Sequence, residues 1–187
     1  LLFLLYINDI CNISPKTKCL LFADDTNLPF TPDNIENCTD SINQVLSSFS
    51  DWLSLNKLIV NHSKCSYIVF GHKILSNLVP NLNLNLNNVP ISRASSTKFL
   101  GVIISDSLSW DTHLQSISNK LNKLIGLFHK IKYKLSQSVL KTLYYAFIYP
   151  NLTYCITIWG NCPKSHLHSI LLSQKRAIRV IFNLKPF

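Results

Sequence analysis

The sequence contains no methionine, only four glycines, and no Cys-x-x-Cys pair among its six cysteines. The apolar run at its start, LLFLLYI, is far shorter than the about 20 residues that span a bilayer, and it lacks the basic leader of a secretory signal. We therefore expect free intracellular thiols rather than a disulfide framework. A zinc site at Cys155, Cys162, His166 and His168 is a minor alternative, since this spacing matches no common finger. Without an initiator methionine, and opening inside a helical pattern, the chain is expected to be a fragment.

Negative charge is nearly absent from the second half of the chain. Residues 1–105 hold seven Lys or Arg and seven Asp or Glu, whereas residues 106–187 hold eleven Lys or Arg against Asp106 and Asp111. The formal net charge of +9 therefore comes entirely from the second half. This asymmetry favours a polyanionic partner for that half, with a solvated lysine surface as the alternative.

Residues 1–108 show mixed periodicities, which predict an α+β domain. Residues 1–10 read as the end of a core helix, and a helix capped at Thr31–Pro32 should turn one apolar face onto a sheet. The members of that face are Ile35, Cys38, Ile42, Val45, Leu46, Phe49, Trp52 and Leu53. Leu82, Leu84 and Leu86 alternate with Asn, which predicts a half-buried strand that Asn87–Asn88 would turn. Further strands are expected at 19–23, 26–28, 66–70 and 98–104.

Residues 109–187 show helical patterns only, which predicts a small basic bundle. The first helix, capped by Asp111 or Thr112, has an apolar seam with steps of three and four residues. Its members are Leu114, Ile117, Leu121, Leu124, Phe128 and Ile131. A second helix should run from Ser136 to about Tyr149, before Pro150, and a third from about Ser165 to Asn183.

Two adjacent carboxylates, Asp24 and Asp25, stand directly behind the apolar strand. A tight hairpin would point both away from the sheet, where their repulsion is tolerable only if cations neutralise it. Mg²⁺ fits, because proteins hold it through one or two carboxylates plus substrate phosphates. Two such ions can stabilise the attacking and leaving oxygens of a phosphoryl transfer. By composition alone, however, most Asp-Asp pairs are ordinary turn residues.

In this setting the sequence resembles a reverse transcriptase of a non-LTR (LINE-type) retrotransposon. The motifs that carry the resemblance follow the family's order: LLFLLYINDI, LLFADDTNL, WLSLNKLIVNHSKCSYIVFG, KFLGVIISDSLSW, YAFIYPNLTYCITIWG and QKRAIRVIF. They cover essentially the whole chain. The resemblance implies a right-hand polymerase fold, with the C-terminal palm over 1–108 (an antiparallel sheet with packed helices) and an all-α thumb over 109–187. It implies RNA-directed DNA polymerase activity for retrotransposition.

The resemblance also implies roles for individual residues. Asp24 would be the principal metal-binding aspartate and Asp25 its catalytic companion, holding two Mg²⁺ ions, with Mn²⁺ as an alternative. Lys64 would lie near the incoming triphosphate and offset charge on the leaving pyrophosphate. The ordinary alternative for Lys64 is a surface lysine that caps a loop.

Other residues would bind the primer. Phe22 and Ala23 would sit beside the primer end, where the small Ala23 leaves room for the nucleotide. Phe99, Leu100 and Gly101 match the hairpin that grips the primer strand, although simple core packing explains Phe99 and Leu100 equally well.

The basic half would hold the RNA template and DNA primer while deoxynucleoside triphosphates are added. Backbone contacts are expected from Lys120, Lys123, Lys130, Lys175, Arg176 and Arg179. Tyr144, Tyr145, Tyr149 and Trp159 are candidates for stacking on bases, although core packing is the more usual role of such aromatics. No membrane partner is expected, and family resemblance puts the site of action in the nucleus.

Several parts of the family pattern lie upstream of residue 1: a further metal-binding aspartate, the fingers and, in some members, an endonuclease. Pro29 also stands where the returning strand usually has another residue. The isolated chain is therefore expected to be inactive. One alternative is a catalytically dead, nucleic-acid-binding remnant of a decayed element. Another is a protein–protein module on a palm scaffold, which no sequence feature supports.

Overall fold

The structure, a computed structural model, describes residues 1–15, 17–31, 37–71 and 82–185. It has an α+β composition and divides into two compact units, Leu1–Ser95 and Ser96–Phe187. The domain boundary predicted from the sequence, between residues 108 and 109, lies later in the chain than this division between Ser95 and Ser96. The difference arises because the strand pair at 96–105 packs against the helix that follows it.

The first unit opens with helix α1, Leu2–Tyr6, and a 3₁₀ turn, Asn8–Asn12. A helix was predicted here, but the prediction that it is buried in the core is wrong. No side chain of α1 is buried, and the first buried residues are Ile7 and Ile10. A helix of five residues is too short to bury an apolar stripe. Only its end reaches the rest of the unit, where the Tyr6 hydroxyl donates a hydrogen bond to the Asn56 carbonyl.

A hairpin and a long helix follow. Strands β1, Leu20–Phe22, and β2, Asp25–Asn27, pair in antiparallel fashion. Helix α2 runs over Cys38–Leu55, with Asn37 as its N-cap residue, so the predicted cap at Thr31–Pro32 falls partly outside the described residues. The predicted apolar face is confirmed, apart from Ile35, which is also outside the described residues. Its buried members are Cys38, Ile42, Val45, Leu46 and Leu53.

Four short strands complete the first unit: β3, Ser66–Tyr67; β4, Asn85–Leu86; β5, Val89–Pro90; and β6, Ser92–Arg93. The predicted turn at Asn87–Asn88 is confirmed: φ is +52° and +60°, as a two-residue type I′ hairpin requires. Leu84 and Leu86 pack on the buried face of α2, which confirms the half-buried strand. The strand predicted over 66–70 shortens to β3.

The second unit begins with a hairpin, β7 over Ser96–Phe99 and β8 over Val102–Ser105. The single strand predicted over 98–104 is wrong, because Leu100 and Gly101 take φ of +45° and +87° and reverse the chain. Across the described residues, the strands form four separate two-stranded sheets, three antiparallel and one, β3 with β6, parallel. Among the described strands, the one antiparallel sheet expected for a palm is therefore not formed, since each of these short strands pairs with a single neighbour.

Helices account for every described element after residue 109. They are α3, Asp111–Ile131; α4, Gln137–Leu143; a π-helix, Tyr144–Ile148; α5, Tyr149–Thr153; α6, Ile156–Trp159; and α7, Lys164–Phe182. The cap of α3 is Trp110, and Asp111 is its first helical residue. The predicted cap at Asp111 or Thr112 is therefore wrong. The Asp111 carboxylate accepts a hydrogen bond from the Ser109 hydroxyl at 2.6 Å. Helix α4 begins one residue after the predicted start at Ser136, and Ser136 is its N-cap, since its hydroxyl accepts from the Val139 N–H.

Pro150 does not end the second helical segment, contrary to the prediction. A proline removes one N–H from a helix and crowds the preceding turn. The π-helix at Tyr144–Ile148 widens that turn, and Pro150 follows it in the first turn of α5.

The core of the second unit lies between α3 and α7, which pack side by side. Leu114, Ile117, Leu121 and Phe128 of the predicted seam are buried, and Leu124 and Ile131 pack at its edge. Ile125 is a further buried residue of the same face. The α3 seam is therefore confirmed, because apolar spacing alone determines which side of a helix faces the core.

Candidate functional site

The β1–β2 hairpin carries the two carboxylates. Its register pairs Leu20 with Asn27, Leu21 with Thr26 and Phe22 with Asp25. Ala23 and Asp24 therefore form the turn, and Asp25 is the first residue of β2. The turn lies one residue earlier than predicted, since the prediction placed it at Asp24–Asp25. The chain can close here because Ala23 takes a left-handed φ of +53°, a conformation that costs a residue with a Cβ about 1–2 kcal/mol.

This register fixes what the hairpin presents. Directly paired residues share a face, so the Phe22 ring lies on the same side as the Asp25 side chain, and Asp24 lies at the tip. Phe22 is 62% exposed, and both carboxylates are exposed. No hydrogen bond or ion pair joins either carboxylate to another residue that the structure describes. The tip thus offers two adjacent, solvated oxygen ligands without an internal counter-ion.

The base of the hairpin is attached to the first core. Leu28 and Phe30 pack against the buried face of α2, and the Thr17 hydroxyl donates to the Pro29 carbonyl at 2.6 Å. Burial, with the neighbouring Cys11 adding to it, raises the pKa of the Cys19 thiol to about 12. Cys19 is therefore a neutral thiol near pH 7.

The donor set suits a hard cation only in part. Mg²⁺ is commonly bound through one or two carboxylates, with water and substrate phosphates completing the shell. Asp24 and Asp25 meet that minimum. Across 1–15, 17–31, 37–71 and 82–185, no group of three His, Cys, Asp or Glu side chains could hold a metal ion, and this includes the Cys155–His168 region.

Lys64 lies in the first unit, at the end of a 3₁₀ turn, His62–Lys64, and it is exposed. Its backbone N–H donates to the Asn61 carbonyl at 3.0 Å, which fixes the backbone at this position. The side chain is available to an anionic ligand, and its role stays a prediction.

Phe99, Leu100 and Gly101 lie in the second unit, at the tip of the β7–β8 hairpin. Tyr154 holds this tip: its hydroxyl donates to the Leu100 carbonyl at 2.6 Å. The Tyr154 Cε1 atom also lies 3.3 Å from the position that a Cβ on Gly101 would occupy. Sequence reasoning missed Tyr154, because a tyrosine in an aromatic-rich segment gives no signal for one distant partner.

The six predicted backbone-binding residues lie on the two packed helices of the second unit. Lys120, Lys123 and Lys130 of α3 are exposed, as are Lys175 and Arg176 of α7, and Arg179 is half-buried. Asp111, one of two acidic residues in 106–187, lies 2.7 Å from His166. These helices therefore keep a strong excess of positive charge, which suits contacts with phosphates.

The four candidate stacking aromatics divide into two pairs. Trp159 is 1% exposed, and its indole N–H donates to the Tyr154 carbonyl, so it is a core residue. Tyr144 is also buried. Tyr145 and Tyr149 are exposed, and only this pair has rings that a base can reach.

Comparison with known proteins finds that the whole chain is similar to polymerases encoded by transposons. The chain is 26% identical over its full length to a probable RNA-directed DNA polymerase from transposon X-element of Drosophila melanogaster, covering 21% of that protein. Over 86% of the chain it is 26% identical to the RNA-directed DNA polymerase from mobile element jockey of Drosophila funebris, covering 17% of it. Over 91% it is 25% identical to a probable RNA-directed DNA polymerase from transposon BS of Drosophila melanogaster.

The resemblance to a non-LTR reverse transcriptase is confirmed. The chain spans about a fifth of the length of these curated relatives. No family model and no solved structure matches this reverse-transcriptase-like chain. Among the helices that the structure describes, none is long and apolar enough to cross a membrane.

Proposed function

We propose that this chain is part of an RNA-directed DNA polymerase that adds deoxynucleotides to a primer on an RNA template during retrotransposition. One observation carries the proposal: the β1–β2 hairpin presents Asp24 and Asp25, exposed and without a counter-ion among the described residues, in a chain that matches transposon polymerases throughout. Two adjacent carboxylates repel each other, and a bound divalent cation would relieve that repulsion.

In this proposal Asp24 and Asp25 hold divalent metal, Mg²⁺ or alternatively Mn²⁺. The bound ions would stabilise both the attacking and the leaving oxygen of the phosphoryl transfer. The methyl group of Ala23 leaves space beside the carboxylates for the primer end, and the exposed ring of Phe22 supports it. Lys64 offsets charge on the departing pyrophosphate.

The remaining residues of the chain position the nucleic acid. Phe99, Leu100 and Gly101 form a turn that lies against the primer strand. The basic residues of α3 and α7 neutralise template and primer phosphates without reading their sequence. We assign residues 1–108 to the C-terminal palm and 109–187 to the thumb. Further carboxylates, the fingers and any endonuclease belong to the rest of the polymerase, which would act in the nucleus.

A second candidate is a catalytically dead remnant that only binds nucleic acid. The observation that favours it is that the basic residues and the candidate metal ligands lie in different parts of the chain. The excess of positive charge is in residues 106–187, whereas the carboxylate pair is at 24–25. Binding by the basic helices does not require a working metal site. The two candidates therefore differ in primer extension and agree in binding.

The test is primer extension on an RNA template with Mg²⁺, using a chimera in which this chain replaces the matching segment of the jockey polymerase. The chimera is compared with its Asp24→Asn variant and with Asp51→Asn. Asp51 is an exposed carboxylate of α2, so this control removes the same charge away from the hairpin. Extension by the parent and by Asp51→Asn, abolished in Asp24→Asn, is the expected result.

Equal extension by the parent chimera and Asp24→Asn would refute the metal-binding role. If neither extends the primer and both hold a primer–template duplex with salt-sensitive affinity, the dead-remnant candidate replaces the polymerase.

A further inference from the structure

Three tyrosine rings meet where the π-helix of the second unit joins α5. The Tyr144 and Tyr145 centroids lie 5.3 Å apart and nearly perpendicular, and those of Tyr145 and Tyr149 lie 5.6 Å apart at 60°. Tyr145 is 64% exposed and Tyr149 45% exposed, whereas Tyr144 is buried. Two adjacent aromatic rings therefore face solvent above a buried third.

The backbone explains why these rings are adjacent. Tyr145 and Tyr149 are four residues apart, and residues at that spacing are neighbours on a helix surface. The Tyr144 hydroxyl accepts a hydrogen bond from Gln174 Nε2 of α7 at 3.2 Å, which fixes the ring beneath them. Both exposed rings contact the Tyr144 ring as well as each other, and contacts that exist before any ligand arrives lower the entropic cost of binding. We call Tyr145 and Tyr149 the tyrosine ledge.

The charge around the tyrosine ledge suits an anionic ligand. No Asp or Glu occurs anywhere between residues 112 and 187. Lys141 precedes Tyr145 by one helical turn, and residues at that spacing share a helix face. Its ammonium lies 5.1 Å from the exposed Phe182 ring of α7. The ligand expected here has flat apolar faces and carries negative charge.

Single-stranded nucleic acid has that chemistry. Unpaired bases expose π-faces that stack on aromatic side chains regardless of sequence, and their phosphates are attracted to nearby cations. In a duplex the same faces are hidden, so backbone contacts dominate. We propose that the tyrosine ledge stacks unpaired bases of a single-stranded segment, such as template RNA next to the primer duplex. This proposal rests on the proposed polymerase function and adds a second, single-strand site to it.

The test compares three fluorescently labelled ligands bound to the full 187-residue chain: a blunt RNA–DNA duplex, the same duplex with an RNA overhang, and the overhang RNA alone. The variant Tyr145→Ala/Tyr149→Ala should weaken binding to both overhang-containing ligands by about 5- to 150-fold per stacked base. Its affinity for the blunt duplex should not change. Tyr145→Phe/Tyr149→Phe should retain wild-type affinity, because stacking does not need the hydroxyl groups.

The matched control is Tyr133→Ala. Tyr133 is 80% exposed and also lies beside a lysine, with Lys132 Nζ 4.6 Å from its ring, but it has no neighbouring aromatic ring among the described contacts. Its replacement should leave all three affinities unchanged. Circular dichroism of each variant should match the parent, since only exposed rings are altered.

Unchanged overhang binding in the double Ala variant overturns the proposal, and so does an equal loss for blunt and overhang ligands. A change in sedimentation with unchanged RNA binding would also overturn it, because the ledge would then be a contact between protein copies. The proposed polymerase function fails by a different result, the absence of primer extension by the parent chimera. The overhang RNA alone still tests the ledge in that case.

Discussion

Two glycines of the second unit should respond in opposite directions to the same substitution. Gly101 takes φ of +87°, which strains any residue with a Cβ by about 1–2 kcal/mol. The added methyl would also meet the Tyr154 ring at 3.3 Å. The Tyr154 hydroxyl donates a 2.6 Å hydrogen bond to the Leu100 carbonyl. If the ring moved away from the added methyl group, this hydrogen bond would break, with a net loss of about 0.5–1.5 kcal/mol.

Alanine also restricts the unfolded chain, which recovers about 0.4–1 kcal/mol. The net loss expected for Gly101→Ala is therefore about 1–2 kcal/mol in the free energy of unfolding. Gly126 is the matched control, because it lies inside α3 and nothing lies within 4 Å of its Cβ position. Gly126→Ala should stabilise the unit by about 0.5–1 kcal/mol, the usual difference between these residues in a helix.

Urea unfolding followed by far-UV circular dichroism measures both effects. The two units need not unfold together, so the transition to compare is the one that also changes the fluorescence of the buried Trp159. In the Tyr154→Ala background, Gly101→Ala should cost less than it does in the wild-type background, because only the part of the loss caused by φ remains. A Gly101→Ala protein as stable as wild type, or a Gly126→Ala protein less stable than Gly101→Ala, would refute this reasoning.

Two further predictions concern the second core. Phe128→Ala removes a ring that is 1% exposed and should cost about 3–5 kcal/mol, whereas Phe147→Ala, at a ring 53% exposed, should stay within about 0.5 kcal/mol of wild type in the same urea titration. His113 is buried, and its Nδ1 atom accepts a hydrogen bond from the Ile103 N–H. Burial and the nearby Lys120 lower the pKa of His113 in the folded protein. As the pH falls, the His113 imidazole is therefore protonated in the unfolded chain while it is still neutral in the folded one. The free energy of unfolding should therefore fall as pH drops below about 6.5. His113→Asn, which keeps an acceptor for Ile103, should lose that part of the pH dependence, and an unchanged pH profile would contradict the assignment.

Local patterns predicted the elements whose burial is determined by their own spacing. The apolar faces of α2 and α3 were predictable, because a 3.6-residue period leaves one side of each helix apolar. The Asn87–Asn88 turn was predictable for a similar reason, since asparagine tolerates the left-handed conformation that a two-residue hairpin needs. In these places the local preference and the folded structure agree.

The elements that sequence reasoning missed depend on distant contacts. The run KFLGVII reads as one strand, yet Leu100 turns with a positive φ because Tyr154, 54 residues later, binds its carbonyl. Pro150 normally ends a helix, but the preceding π-helix absorbs its steric demand. At Ala23 a non-glycine residue takes a left-handed φ, which shifts the turn by one residue. Each case is a local conformation that the isolated segment would disfavour.

The separation of charge between the two units determines which experiments can test the proposed polymerase function. Residues 96–187 hold twelve Lys or Arg and two Asp, whereas residues 1–95 hold six Lys or Arg and seven Asp or Glu. The salt dependence of binding grows with the number of phosphates that cations neutralise. We therefore expect Asp24→Asn to leave that dependence unchanged and the removal of Lys123 and Lys130 to reduce it. Binding then reports on the basic helices alone, and only primer extension reports on the carboxylates at the hairpin tip.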